Sequence, residues 1–201
     1  MEERIRKILA AEAKAIENIP VNGNMEKAVE LLYKTIHQHD GKLIASGMGK
    51  AGQIAINIAT TFSSTGSPAV FLHPSDAQHG DIGVIQKNDI LLLVSNSGKT
   101  REILELFNLS RNLCPEIPVI VLTGNPDSPL GNLADVVLST GNPAEVCTLG
   151  LTPTTSTTVM TVIGDVLVVL MMEKINFTAS DYAKRHHGGY LGQKSRNASG
   201  G

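Results

Sequence analysis

Five short apolar runs recur along this chain, and their spacing restricts the fold more than any other feature. They lie at Lys42–Ser46, Ala69–Leu72, Asp89–Val94, Pro118–Leu122 and Asp135–Leu138. Their cores are apolar throughout, whereas a strand with one wet face would alternate. Runs of this kind with helical stretches between them predict a parallel sheet covered on both faces. In such sheets ligands gather at the carboxyl ends of the strands, where the loops collect. The expected class is α/β: a three-layer αβα sandwich on a five-stranded parallel sheet, with a helical N-terminal extension.

In that extension, residues 4–19 put Ile5, Ile8, Leu9, Ile16 and Ile19 on one helical face, and Pro20 closes the segment. Such a helix covers its own core or packs on a neighbouring subunit, and the sequence leaves both open. Asn24 is expected to cap a second helix bearing Val29, Leu32, Tyr33 and Ile36, with His37 and His39 as solvated charge at its end. These helices make up residues 1–39, the domain proper is expected over 40–192, and 193–201 is expected as a disordered tail. Thr152–Thr158 opens a long helix whose most apolar stretch, Val159–Met172, is too short to span a bilayer and contains Gly164 and Asp165. It is expected to be buried. A short helix over Ala179–Lys184 precedes Arg185–Gly192, whose glycines end the helix and leave His186 and His187 on a flexible stretch.

Composition narrows the ligand. Lys and Arg number 17 against 19 Asp and Glu, so no basic excess exists to grip nucleic acid. Aromatic residues are 3% with no Trp, which removes a base-stacking platform. An anion must therefore be held by local geometry. The stretch Leu91–Thr100 provides it. An apolar run hands over through Ser95-Asn96-Ser97-Gly98 to a helix, where unpaired N–H groups and the hydroxyls of Ser95, Ser97 and Thr100 make a seat for a phosphate monoester. The alternative is a plain helix cap by Ser97. Gly98-Lys99-Thr100 is like the end of a nucleoside-triphosphate loop, but the glycine needed five residues earlier is Leu93.

Gly47-Met48-Gly49-Lys50-Ala51-Gly52 satisfies G-x-G-x-x-G between a strand and a helix. A dinucleotide site also wants an acid at the end of the next strand, and Phe71-Leu72-His73 supplies none. The segment is either a ligand-free tight turn or one that aims Lys50 into the crevice. His79 and His186 lie in polar, Gly-flanked loops and suit proton transfer near neutrality. His73, before Pro74, suits a turn. Glu102 falls in the first turn of the helix after the phosphate seat, and dipole pairing or a carboxylate aimed at ligand carbons explains it equally well. No compact ligand spacing occurs, so neither a metal nor a cofactor is expected. Cys114 and Cys147 are isolated and the N-terminus lacks a signal-peptide core, which together suggest the cytoplasm and no membrane partner.

Five motifs occur in order across about residues 40–192: Ser46–Lys50, His73-Pro74 with His79–Gly83, Ser95–Gly98, Pro153–Thr158 and His186–Gly192. Together they resemble the sugar isomerase (SIS) domain, specifically the D-arabinose 5-phosphate isomerases. The resemblance implies interconversion of D-ribulose 5-phosphate and D-arabinose 5-phosphate, the entry step to the acidic sugar Kdo of lipopolysaccharide and capsules. It implies a metal-free homotetramer with active sites at subunit contacts. Lys50, His79, Glu102 and His186 would surround the reacting sugar. Ser46, Gly47, Gly49, Ser95, Asn96, Ser97, Thr100, Thr154, Thr155 and Ser156 would hold the substrate and its phosphate. This sequence departs from the family at Asp76 and Lys99, where Glu is common, and at His187, where Pro is usual. The two regulatory CBS repeats of many relatives have no room before Gly201, so feedback by CMP-Kdo at the pocket itself is one expectation. The competing functions are a non-catalytic phosphosugar sensor and an SIS enzyme for another (amino)sugar phosphate.

Overall fold

The apolar runs pair side by side as β1 (Leu43–Gly47), β2 (Ala69–Phe71), β3 (Ile90–Val94), β4 (Val119–Thr123) and β5 (Val136–Ser139). In the computed structural model, which describes residues 1–199, they form one parallel sheet in the order β2-β1-β3-β4-β5. β1, β3 and β4 are buried along their whole length, which is why their sequences do not alternate. Leu43, Ala45, Leu92 and Val94 face a layer made by α2 (Asn24–Tyr33), α3 (Gly49–Ser64) and α6 (Thr155–Lys174). Ile44, Leu91, Leu93 and Val121 face the opposite layer, chiefly α5 (Arg101–Leu113) with the single-turn α4 (Pro74–Ala77). The expected three-layer α/β sandwich is therefore observed.

Two of the four connections between strands carry no long helix. Between β4 and β5 there is only a 3₁₀ turn at Gly131–Leu133, and between β2 and β3 only α4 and a 3₁₀ turn at Asp81–Val84. The first is held tight because a side chain at Gly131 would meet the Pro126 carbonyl at 2.0 Å. The long helix α6 begins earlier than its apolar stretch and reaches 20 residues, enough by length and composition to cross a membrane. Half of that stretch is instead buried in the protein. Gly164 lets it approach α3, since a Cβ there would lie 2.5 Å from Ile58 Cγ1.

The N-terminal helices also correct the reading in two places. Gly23, in the left-handed region at φ 79°, is the N-cap of α2. Asn24 is the first helical residue, and its side-chain amide donates to the Val137 carbonyl of β5 at 2.9 Å. His37 is not solvated charge. It lies in a π-helical turn, Lys34–Gln38, stacked on Tyr33 and within 2.9 Å of Ser67 Oγ, and burial lowers its pKa. The first helix, α1 (Glu2–Glu17), buries no residue fully, and Ile5 and Leu9 are 49% and 62% exposed. At its C-terminal end Ala15 and Ile19 rest on the α2/α3/α6 core.

At the other terminus, α7 (Ala179–Arg185) is followed by α8 (Gly189–Ser199). Residues 193–199 are thus helical and not a disordered tail, while Gly200 and Gly201 lie outside the described residues. His186 and His187 sit in the tight corner between the two helices. That corner closes because Gly192 has no side chain: a Cβ would stand 2.1 Å from the His186 carbonyl oxygen.

Candidate active site

The strand order reverses between β1 and β3, so the chain leaves their carboxyl ends in opposite directions and opens a crevice. Gly47 and Val94 are register partners at those ends. The next residues on each side therefore face one another across a cavity of about 300 Å³. Lys50, Ser95, Asn96, Ser97 and Thr100 line it from the two loops, and Ser156 and Thr157 line it from α6. Met48, Ala51, Pro153 and Met160 complete the wall.

The glycines of the first loop are structural requirements. A Cβ at Gly47 would meet the Ala51 carbonyl oxygen at 2.7 Å, and one at Gly52 would meet the Gly47 carbonyl oxygen at 2.8 Å. Gly49 takes φ +57°, where L side chains are strained. The result is a turn in which Lys50 enters the cavity from the first turn of α3. The second loop is closed by its own hydroxyls. Ser95 Oγ lies 2.8 Å from Thr100 Oγ1 and accepts from the Gly98 N–H at 3.2 Å. Gly98 adopts φ +62°, and a Cβ there would collide with Ser128 Oγ at 1.9 Å.

Three helix N-termini serve this region, and they differ. The N-cap residues of α3 and α5, Met48 and Thr100, make no side-chain capping bond. Ser97 therefore does not cap α5; its hydroxyl accepts from the Lys99 N–H. The start of α6 is occupied by a carboxylate. Glu145 accepts from the Thr154 N–H and hydroxyl at 2.7 and 2.8 Å, and from the Ser156 N–H and hydroxyl. Burial opposes the charge, but the bonds from Ser156 and Thr154 outweigh it and hold the carboxyl below its ordinary pKa. The intervening Thr155 donates its hydroxyl to Glu12 of α1 at 2.9 Å.

These contacts revise several candidates. Lys50, Ser95, Asn96, Ser97, Thr100 and Ser156 are brought together. The hydroxyls of Thr154 and Ser156 are engaged by Glu145 and that of Thr155 by Glu12, so all three frame the site, with Ser156 alone of them on the cavity wall. Ser46 is fully buried with its hydroxyl on the Leu72 carbonyl at 2.7 Å, which pins β1 to the end of β2. Gly47 and Gly49 shape the backbone. His79 is exposed beyond α4, Glu102 sits half-buried in the first turn of α5, and His186 stands at the end of α7. None of these three lines the cavity within one chain. Among the described residues no group of three or more metal-type ligands occurs.

Glu145 is the residue sequence reasoning missed. An acid near a helix start complements the dipole, but this one lies nine residues before the Thr154 it serves, and only the fold brings it back.

The SIS-domain profile matches residues 35–170. The arabinose 5-phosphate isomerase KdsD of Yersinia pestis is 44% identical over 174 residues, which are 87% of this chain and 51% of that protein. The chain thus spans about half the length of the curated relatives it matches. A Bacteroides fragilis crystal structure, named provisionally as a phosphosugar isomerase involved in capsule formation, is 67% identical with a TM-score of 0.93, covering 94% of this chain and 99% of that one. A protein of E. coli CFT073 solved in complex with arabinose 5-phosphate is 33% identical with a TM-score of 0.84, over 90% and 95% of the two chains.

Proposed function

The chain belongs to the SIS-domain family, and on that footing we propose that it is an aldose–ketose isomerase interconverting D-ribulose 5-phosphate and D-arabinose 5-phosphate. The observation that carries the reading is the cavity that joins Lys50 to the Ser95–Thr100 loop. A monoester phosphate seated on the loop hydroxyls and the uncapped α5 N-terminus leaves the first sugar carbons near the Lys50 ammonium. The identity to arabinose 5-phosphate isomerases, and the relative solved with arabinose 5-phosphate, support the same substrate.

The reaction removes a proton beside a carbonyl, passes through a cis-enediol and returns the proton to the neighbouring carbon. In this proposal Glu102 or His186 is the carbon base, His79 moves hydroxyl protons, and Lys50 stabilises enediolate or phosphate charge. The resemblance to the arabinose 5-phosphate isomerases implies a homotetramer with active sites at subunit contacts, and His79, Glu102 and His186, which do not line the cavity of one chain, would join the site there. The exposed Ile5 and Leu9 of α1 and Tyr190 and Leu191 of α8 offer apolar surface for that assembly. The product would feed Kdo for lipopolysaccharide or capsule, in the cytoplasm, with CMP-Kdo competing for the pocket. Failure of millimolar CMP-Kdo to inhibit would remove that last element.

A turnover and thermal-shift panel of pentose, hexose and amino-sugar phosphates tests the reading. It expects conversion of the two pentose 5-phosphates. Conversion of an amino-sugar phosphate alone reassigns the substrate, and stabilisation by a sugar phosphate without turnover makes the chain a sensor.

A further inference from the structure

His186 is fixed more firmly than its Gly-rich surroundings suggest. Its ring lies flat on that of Tyr182, with centroids 3.7 Å apart and planes within 4°. Its Nδ1 is 3.0 Å from the Tyr182 carbonyl oxygen, which also accepts the His186 backbone N–H at 3.1 Å. A carbonyl oxygen only accepts, so in the neutral imidazole the hydrogen must sit on Nδ1 and the lone pair on Nε2. Free histidine favours the opposite tautomer, with Nε2 protonated.

The surrounding structure holds Tyr182 in turn. Its ring meets the edge of Phe177 at 6.4 Å, and α7 starts from a reciprocal capping box between Thr178 and Asp181. On the far side α8 closes over the His186 carbonyl through Gly192. Backbone, ring plane and Nδ1 of His186 are thus all committed, and among the described residues nothing engages Nε2, which is left for a reacting atom.

We propose that Tyr182 is a positioning residue that presents His186 as a ready proton acceptor at Nε2. It does so by stacking on the imidazole and keeping Nδ1 on the α7 carbonyl. The Tyr hydroxyl takes no part; the aromatic face does. For its kinetic consequence the inference rests on the isomerase reading, whereas the tautomer itself does not.

Nitrogen-15 NMR of the full chain with labelled histidine, at a pH where imidazole is neutral, measures the tautomer directly. In the unsubstituted protein and in Tyr182→Phe, His186 should show a pyrrole-type Nδ1 and a pyridine-type Nε2. In Tyr182→Leu the population should move toward the Nε2–H form. With ribulose 5-phosphate, Tyr182→Leu should lose about 10-fold or more in kcat with KM within about twofold, and Tyr182→Phe should keep both. A protonated Nε2 in the unsubstituted protein overturns the proposal, as does Tyr182→Leu leaving tautomer and kcat unchanged. If the unsubstituted protein turns over no sugar phosphate, the isomerase reading fails, and the NMR comparison of the three proteins still decides the positioning claim.

Discussion

Gly47 and Val94 stand side by side in register at the carboxyl ends of adjacent parallel strands. From that pair the chain departs in two directions, into the loop that carries Lys50 and the loop that carries Ser95 to Thr100. The juxtaposition needs no direct bond between the loops. It follows from the strand order, and it places a cation against a run of hydroxyls at the mouth of one cavity.

Lys50 should therefore matter to the chemistry and little to the fold. It lies on the cavity wall at the start of α3 and contributes no buried packing. Lys50→Met should lower kcat/KM by roughly 10²–10³-fold, the scale of losing one charge-stabilising group. Its melting temperature should stay near that of the unsubstituted chain. Steady-state kinetics with a thermal melt on the same sample checks both halves.

Glu145 should show the reverse balance in its stability effect. Glu145→Gln keeps one acceptor but loses the charge at the α6 N-terminus, and should cost about 1 kcal/mol. The pH dependence follows from the direction of the shift. A carboxyl held below its ordinary value of 4.5 contributes stability that is fully present above that pH and is lost as pH falls through the lower folded value. Urea midpoints for the two proteins should converge on acidification below pH 4.5. A constant gap down to strong acid contradicts the assignment.

Asp181 offers a second acid-limb test at the start of α7. Hydrogen bonds from the Thr178 hydroxyl, then from Lys184 and the Thr178 N–H, bring its pKa from 3.8 to about 2. Its contribution is present above pH 3.8 and disappears as pH falls toward 2. Carboxyl carbon NMR should find the midpoint well below that of an unperturbed aspartate, and Thr178→Ala should return it toward normal.

Gly98→Ala should be costly on two counts. The left-handed backbone penalises any side chain by roughly 1–2 kcal/mol, and the new methyl would lie 1.9 Å from Ser128 Oγ. The expected loss exceeds about 2 kcal/mol in chemical denaturation. Gly23→Ala, at φ +79° and with nothing within 4 Å of where the methyl would stand, should cost less.

Much of this layout was legible in the chain itself, for identifiable reasons. The uniform runs around Leu43, Leu92 and Val121 could only be strands buried on both faces, and the loops after Ser46 and Val94 were marked by glycines and hydroxyls. What was illegible depended on contacts far apart in sequence. Thr154 to Ser156 read as open donors because Glu145 and Glu12, which take their hydroxyls, approach only in the folded molecule. His37 read as solvent-exposed charge because Ser67, its partner, lies thirty residues away. The corner at His186 read as flexible because glycine signals freedom locally, whereas Gly192 is there to admit a carbonyl.

In the proposed reaction the β1/β3 cavity grips the phosphate of a pentose while acid–base groups act on the two adjoining carbons. Turnover of D-ribulose 5-phosphate in heavy water, followed by proton NMR of the product, tests it most directly. The expected product is D-arabinose 5-phosphate carrying deuterium at C2. Absence of product, or product with no deuterium at C2, would contradict it.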